Sequence, residues 1–167
     1  MKVFFYLLLF CQTLFLISCS SKKGDFTVKA PEGWETIDTV SANYGRYVKM
    51  HPPIYSKTPI FIENINISII SFPSLDIYRN TSLQSLKSDA VYFVEKGKGK
   101  EKVNDYEMEW ESHIIQYKNS ERTVEQKVYF IWKKGNIYQI VCTTKEKEME
   151  GFQFWIDEVI KSFRVLE

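Results

Sequence analysis

Glu107, Glu109, Glu111 and His113 recur at every second position. On an extended chain that spacing places their side chains on one face, about 6.8 Å apart in succession. Carboxylates and an imidazole are oxygen and nitrogen donors, so the row could hold a divalent cation. The competing reading is a solvated strand face whose acids pair across a hairpin with Lys127 and Lys133. Spacing favours the second, because donors about 7 Å apart on one strand do not converge without a ligand from a neighbour. No metal and no cofactor are therefore expected. Lys96, Lys98, Lys100 and Lys102 surround Gly97 and Gly99, which could make an anion or headgroup patch. The segment lacks both G-x-x-x-x-G-K-[ST] and G-x-G-x-x-G, and Glu95 and Glu101 dilute its charge, so a solvated loop is the better expectation.

His51 stands beside Pro52 and Pro53, with Tyr55 close behind, at the start of the longest expected loop, 51–59. Long loops often carry function, so His51 and Tyr55 are candidates for a partner or ligand surface. The whole chain has two histidines, which excludes a His-rich metal site. G-x-S-x-G and H-E-x-x-H are absent, and no Cys-His pair has an activating context. The expected protein is not an enzyme.

The most informative sulfur is Cys19. Met1-Lys2 gives a short basic start, 3–10 is an unbroken apolar run, and Leu16-Ile17-Ser18-Cys19 closes the segment. The pattern is secretory and too short to span a bilayer, which needs about 20 apolar residues. Its end resembles a lipobox, in which cleavage falls between Ser18 and Cys19 after the thiol has been diacylated. Two or more acyl chains hold a protein firmly at a membrane. The expected division is thus a signal peptide over 1–18, lipidated Cys19 with a polar tether over 19–24, and a single domain over 25–167. Ser20 resembles the residue that sends enteric lipoproteins to the outer membrane, where Asp would retain them inside. The favoured location is the periplasmic face of the outer membrane.

Loss of 1–18 leaves 149 residues, enough for one domain. Lys2 is the only charge removed, so 21 basic side chains face 21 acidic ones. That balance argues against a nucleic-acid partner. Cys11 leaves with the signal and Cys19 is acylated, so Cys142 cannot form an internal disulfide. Its apolar, strand-like setting marks it as a small core residue.

The positioning elements follow from periodicity. Strands are expected over 26–29, 44–50, 60–72, 107–117, 123–132 and 137–143, with 98–105 a charged loop or edge strand. Ile65, Ile67 and Ile69 share a face, and Ile137 and Val141 oppose Tyr138, Ile140 and Cys142, so that last strand should be covered on both sides. A helix is expected over 81–96, from Leu83, Leu86, Ala90, Phe93 and Val94, with Thr81 and Gln84 as a capping box and Gly97 as its stop. A second is expected over 148–163, with Phe152, Trp155, Ile156, Val159, Ile160 and Phe163 in one stripe. Tyr92 and Phe154 fall on the polar arcs of these helices and could mark a docking surface or remain single exposed aromatics. The resulting class is α+β, a central antiparallel sheet flanked by two main helices.

Phe26-Thr27-Val28 followed by Pro31-Glu32-Gly33-Trp34 resembles the opening strand and turn of PsbP-like proteins. Trp155 with Ile160-Lys161-Ser162-Phe163 resembles the helix that closes those domains. The family includes DcrB-like bacterial lipoproteins, and the resemblance implies a PsbP-like sandwich, binding or assembly roles, and no shared catalytic set. The function expected from all of this is a membrane-anchored, non-enzymatic module with a protein partner in the cell envelope. The alternative is a small-ligand carrier with a pocket beside the 51–59 loop, lined by tyrosines such as Tyr47 and Tyr55.

Overall fold

The computed structural model describes residues 26–41, 45–54, 63–133 and 135–166. Ser18, Cys19, the tether and Tyr55 lie outside them. The elements are β1 (Phe26–Thr27), β2 (Glu35–Ser41), β3 (Gly45–His51), β4 (Asn64–Ser71), α1 (Leu75–Asp89), β5 (Ala90–Val103), β6 (Tyr106–Tyr117), β7 (Thr123–Lys133), β8 (Asn136–Lys145), α2 (Met149–Ser162) and β9 (Arg164–Val165). Seven strands form one sheet in the order β2-β3-β4-β8-β7-β6-β5, and every neighbouring pair is antiparallel. β1 and β9 make a separate two-stranded pair, Phe26 opposite Val165.

Alternation along β7 and β8 divides the interior in two. Tyr129, Ile131, Tyr138, Ile140 and Cys142 face a large core closed by Phe152, Ile156, Val159 and Ile160 of α2. Val128, Phe130 and Ile137 face the other side, where Leu75 and Tyr78 of α1 pack on them. Both faces of β8 are covered, as its two-sided apolar pattern requires. Cys142 is free and fully buried, and burial pushes its thiol pKa up, so it stays protonated and inert.

The two helices contribute unequally. α2 buries four side chains, and Phe163 closes it by donating its N–H to Ile160 and Val159 carbonyls. None of the residues of α1 is buried. Its Tyr78 hydroxyl donates to Gln139 Oε1 at 3.1 Å. The sheet is therefore the main body, with one well-buried helix and one that rests on it.

The helix expected over 81–96 is displaced. Helix starts at Leu75, after Pro73, with Ser74 in extended backbone at the cap position. Thr81 does not cap it; its hydroxyl donates to the Ile77 carbonyl inside the helix. Ala90, Phe93 and Val94, counted into a helical stripe, lie on β5 and pair with β6. A short run rich in β-branched and aromatic residues fits either period, and strand pairing decided it. Gly97 is likewise inside β5 and stops nothing. β2 escaped the sequence reading because it lies at the sheet edge with its described side chains exposed, leaving no buried alternation to read.

β5 is the opposite edge. Its ladder is irregular between Ala90 and Tyr92 and between Glu95 and Gly97, and four lysines stud it, devices that discourage pairing with another chain. One of its two glycines has a packing cause. A Cβ at position 99 would lie 3.0 Å from the Trp110 indole, whereas one at 97 would sit at an ordinary 3.7 Å. Gly99→Ala should therefore cost about 1–2 kcal/mol by overpacking, while Gly97→Ala stays within about 0.5 kcal/mol. Paired thermal melts measure this, and equal midpoints for the two variants would contradict the close approach.

Candidate ligand site

The acid row is a solvated face only at Glu107. Glu109, Glu111 and His113 lie on the side of β6 that carries α1, and Met108 and Trp110 point to the large core. The expected partners Lys127 and Lys133 are elsewhere. Lys127 is opposite Ser112, with its ammonium 4.9 Å from the Trp110 ring centre, and Lys133 sits 5.1 Å from that of Tyr106. On β7 the acids face Phe130 and Val128 instead. Their cations come from β5 and α1. Register places Lys98, Lys100 and Lys102 opposite Glu111, Glu109 and Glu107. Lys100 Nζ reaches Glu109 at 2.7 Å and Glu107 at 3.4 Å. Arg79 descends from α1, bonding Glu109 through Nη1 and Glu111 through Nη2 at 3.1 Å. Of the lysines weighed as an anion patch, Lys100 is paired with the acid row, whereas Lys96 lies 4.0 Å from Glu125 of β7.

His113 ends the row, buried beneath Phe93 with ring centres 5.2 Å apart and Nε2 3.0 Å from Gln126 Oε1. Among the described residues no group of three or more His, Cys, Asp or Glu is placed to hold a metal ion. Burial lowers the His113 pKa below its ordinary 6.5, outweighing the Gln126 bond and the nearby Glu111 and Glu95. In the folded state the ring stays neutral, while in the unfolded chain it protonates near pH 6.5. Its contribution is present above that pH and is lost as pH falls below it. His113→Asn should flatten the decline in stability between pH 7 and pH 5 relative to the parent; urea midpoints across that range measure it, and parallel curves would refute the assignment.

Between α1 and β5–β6 lies a cleft of about 480 Å³, lined by Asp76, Arg79, Lys98 and Glu111 among others. Its charges are of both signs, and Arg79 and Glu111 already satisfy each other.

A second cleft, of about 350 Å³, opens at the first turn of α2 and is chemically more selective. Trp34 comes from the turn before β2, Pro52 follows β3, Glu63 precedes β4, Thr144 is the last residue but one of β8, and Phe152 and Trp155 come from α2. The turn is set by Gly33, whose φ of 78° favours glycine, and by the Trp34 N–H donating to the Pro31 carbonyl. Trp34 lies 5.9 Å from Phe152 at 22° and 5.9 Å from Trp155 at 46°. Thr144 is fully buried, and its hydroxyl has no hydrogen-bond partner among the described residues. Glu148 also lines the slot and lies 3.7 Å from Lys145 Nζ.

Of the residues expected to form a partner or ligand surface, the described ones do not line this slot. His51 is only 5% exposed, with Nδ1 2.9 Å from the Pro52 carbonyl and Nε2 3.9 Å from Glu35, so its ring is withheld from a partner. Tyr47 does not line the slot; its hydroxyl donates to Asn66 Oδ1 at 2.8 Å. Tyr92 is 48% exposed but on β5 rather than a helix, and Phe154 is 61% exposed on α2. The slot residues were missed because the sequence presents Trp34 as a turn aromatic and Trp155 as a core one.

No protein-family model matches the chain, and no curated protein matches it. Solved structures do. Cyanobacterial PsbP (CyanoP) from Synechocystis is 15% identical, covering 90% of this chain and 98% of its own, with a TM-score of 0.55. LpqN, involved in cell envelope biogenesis of Mycobacterium tuberculosis, is 16% identical over 89% of this chain and 88% of its own, with a TM-score of 0.56. The Ran-binding protein Mog1p of Saccharomyces cerevisiae is 11% identical over 90% and 94%, with a TM-score of 0.55. The chain therefore has the PsbP-like α+β fold. At these identities the likeness speaks for the fold alone.

Proposed function

We propose that this chain is a lipid-anchored, non-enzymatic binding or assembly module of the bacterial cell envelope, held through Cys19 at the periplasmic face of the outer membrane and working on an envelope protein partner. The observation that carries the reading is Leu16-Ile17-Ser18-Cys19 after a basic start and an apolar run. The fold supports it, being that of LpqN, a protein of envelope biogenesis, and of PsbP. Among the described residues no helix is long and apolar enough to cross a membrane.

Cys19→Ser is the test. The parent should fractionate with membranes and carry a diacylated N-terminal cysteine by mass spectrometry. The variant should keep its signal segment and lose the acyl mass. An unmodified Cys19 in the parent would overturn the anchor. A second reading, a small-ligand carrier, is favoured by the aromatic slot beside Pro52, at the start of the 51–59 loop.

A further inference from the structure

Resting on the anchor reading, we infer that the β1–β9 end of the domain rests against the anionic phospholipid headgroups of the membrane that holds Cys19. Three observations converge on this surface. The first is reach. Six residues, 20–25, separate Cys19 from Phe26, and fully extended they span at most about 22 Å. A domain of this size is roughly 35–40 Å across, so the surface around Phe26 is held closest to the bilayer. Phe26 is a fixed root for the tether. It is fully buried, stacked on Phe163 and paired with Val165, and its carbonyl accepts an Arg46 N–H at 2.6 Å. The second is charge. Arg164 lies opposite Thr27, the Lys29 N–H donates to Ser162 Oγ, and the Asn104 amide donates to the Lys161 carbonyl. Lys29, Lys161 and Arg164 thus gather around β1 and β9, all three exposed. Among the described residues none of them makes an ion pair. The third is an exposed indole. Trp132 is 43% exposed and lines a cleft of about 390 Å³ with Tyr106, Lys133 and Val165, and the next residue, Leu166, is 47% exposed. Indoles beside basic side chains settle at headgroup level.

The acids at this end do not cancel the cations. Asp105 and Glu107 line the same cleft, and Glu107 is held by Lys100. In sequence, Lys22 and Lys23 of the tether offset Asp25 and Glu167. Each basic side chain beside an anionic leaflet strengthens attachment about fivefold. A soluble phosphate would gain nothing from Trp132 or Leu166, whereas a headgroup layer meets cations and apolar side chains together. The tether also keeps that layer within reach, so a weak attraction suffices to orient the domain. The slot with Trp34 lies at the other end of α2, a helix of 14 residues and about 21 Å.

The experiment reconstitutes the full chain, purified from membranes, in phosphatidylcholine vesicles with and without about 30% phosphatidylglycerol. Each vesicle also carries a lipid with a nitroxide on its headgroup, and quenching of tryptophan fluorescence is read. The intact mass of the same sample reports the acyl group on Cys19. Quenching should be about twofold stronger in the anionic vesicles and should fall in about 0.5 M salt. Trp132→Phe should remove most of it. Lys29→Glu with Lys161→Glu should lower it to the phosphatidylcholine level, whereas Lys29→Arg with Lys161→Arg should keep it. An acylated chain quenched equally in both vesicles, or as strongly without Trp132, would overturn this orientation and leave the anchor intact. A chain lacking the acyl mass would overturn the anchor and the orientation together.

Discussion

Phe163→Ala should destabilise the domain by about 4 kcal/mol, the range for truncating a large buried aromatic. The ring is fully buried at the point where α2 hands over to β9. It stacks on Phe26 at 5.4 Å and 28°, and meets Tyr138 at 5.9 Å and Tyr106 at 6.3 Å edge-on. Those partners come from β1, β8 and β6, so one ring ties both ends of the described chain to the sheet. Tyr106 reinforces the tie, its hydroxyl accepting the Val165 N–H at 3.0 Å. Urea unfolding should show the midpoint falling by more than 1 M at unchanged slope. Phe154→Ser, on the exposed face of the same helix, serves as the control and should move stability by less than about 0.5 kcal/mol. A Phe163→Ala cost below about 1 kcal/mol would mean that the ring is not the tie.

Arg79→Met should cost about 2–3 kcal/mol and loosen α1. The guanidinium is 19% exposed, and its partners Glu109 and Glu111 are 20% and 14% exposed, so the pairs are partly withdrawn from water. Removing the cation leaves two carboxylates facing one another's field, with Lys100 able to compensate mainly Glu109. Arg79 also lies over the Phe130 ring, which the methionine keeps covered. Because α1 buries no residue, the ionic contact is a large share of what seats it. Amide exchange over 75–89 should accelerate more than exchange in β7 or β8. Adding Glu109→Gln and Glu111→Gln to Arg79→Met should restore part of the loss. A loss below about 0.5 kcal/mol would mean that the network behaves as an ordinary surface ion pair.

Where a segment's burial is decided by its own period, sequence reads it well. The stripe of α2 and the two-faced β8 both follow this rule, because each packs against a continuous apolar surface. The acid row was half legible. Parity along β6 correctly put Glu109, Glu111 and His113 together and Met108 opposite. Their counter-ions could not be read, because pairing depends on which strand lies on each side, and β5 was hidden inside an expected helix. α1 rests only Leu75 and Tyr78 on the smaller core, too short an apolar stripe to be read as a helix from its period. The slot gathers side chains from β8, α2 and three connecting segments. None of these is periodic in the others' company, so only folding brings Trp34 to Trp155.

The sheet has two unequal margins. One, β5, is irregular and carries four lysines; the other, β2, exposes Ile37 and Val40 without any lysine of its own. Growth of a fibril by adding strand to strand requires that each newcomer offer a fresh template, and a subunit guarded along one margin cannot. Two copies could join back to back through β2, and the assembly would then end in lysines on both sides. That asymmetry converts an open-ended hazard into a reaction that stops at a pair.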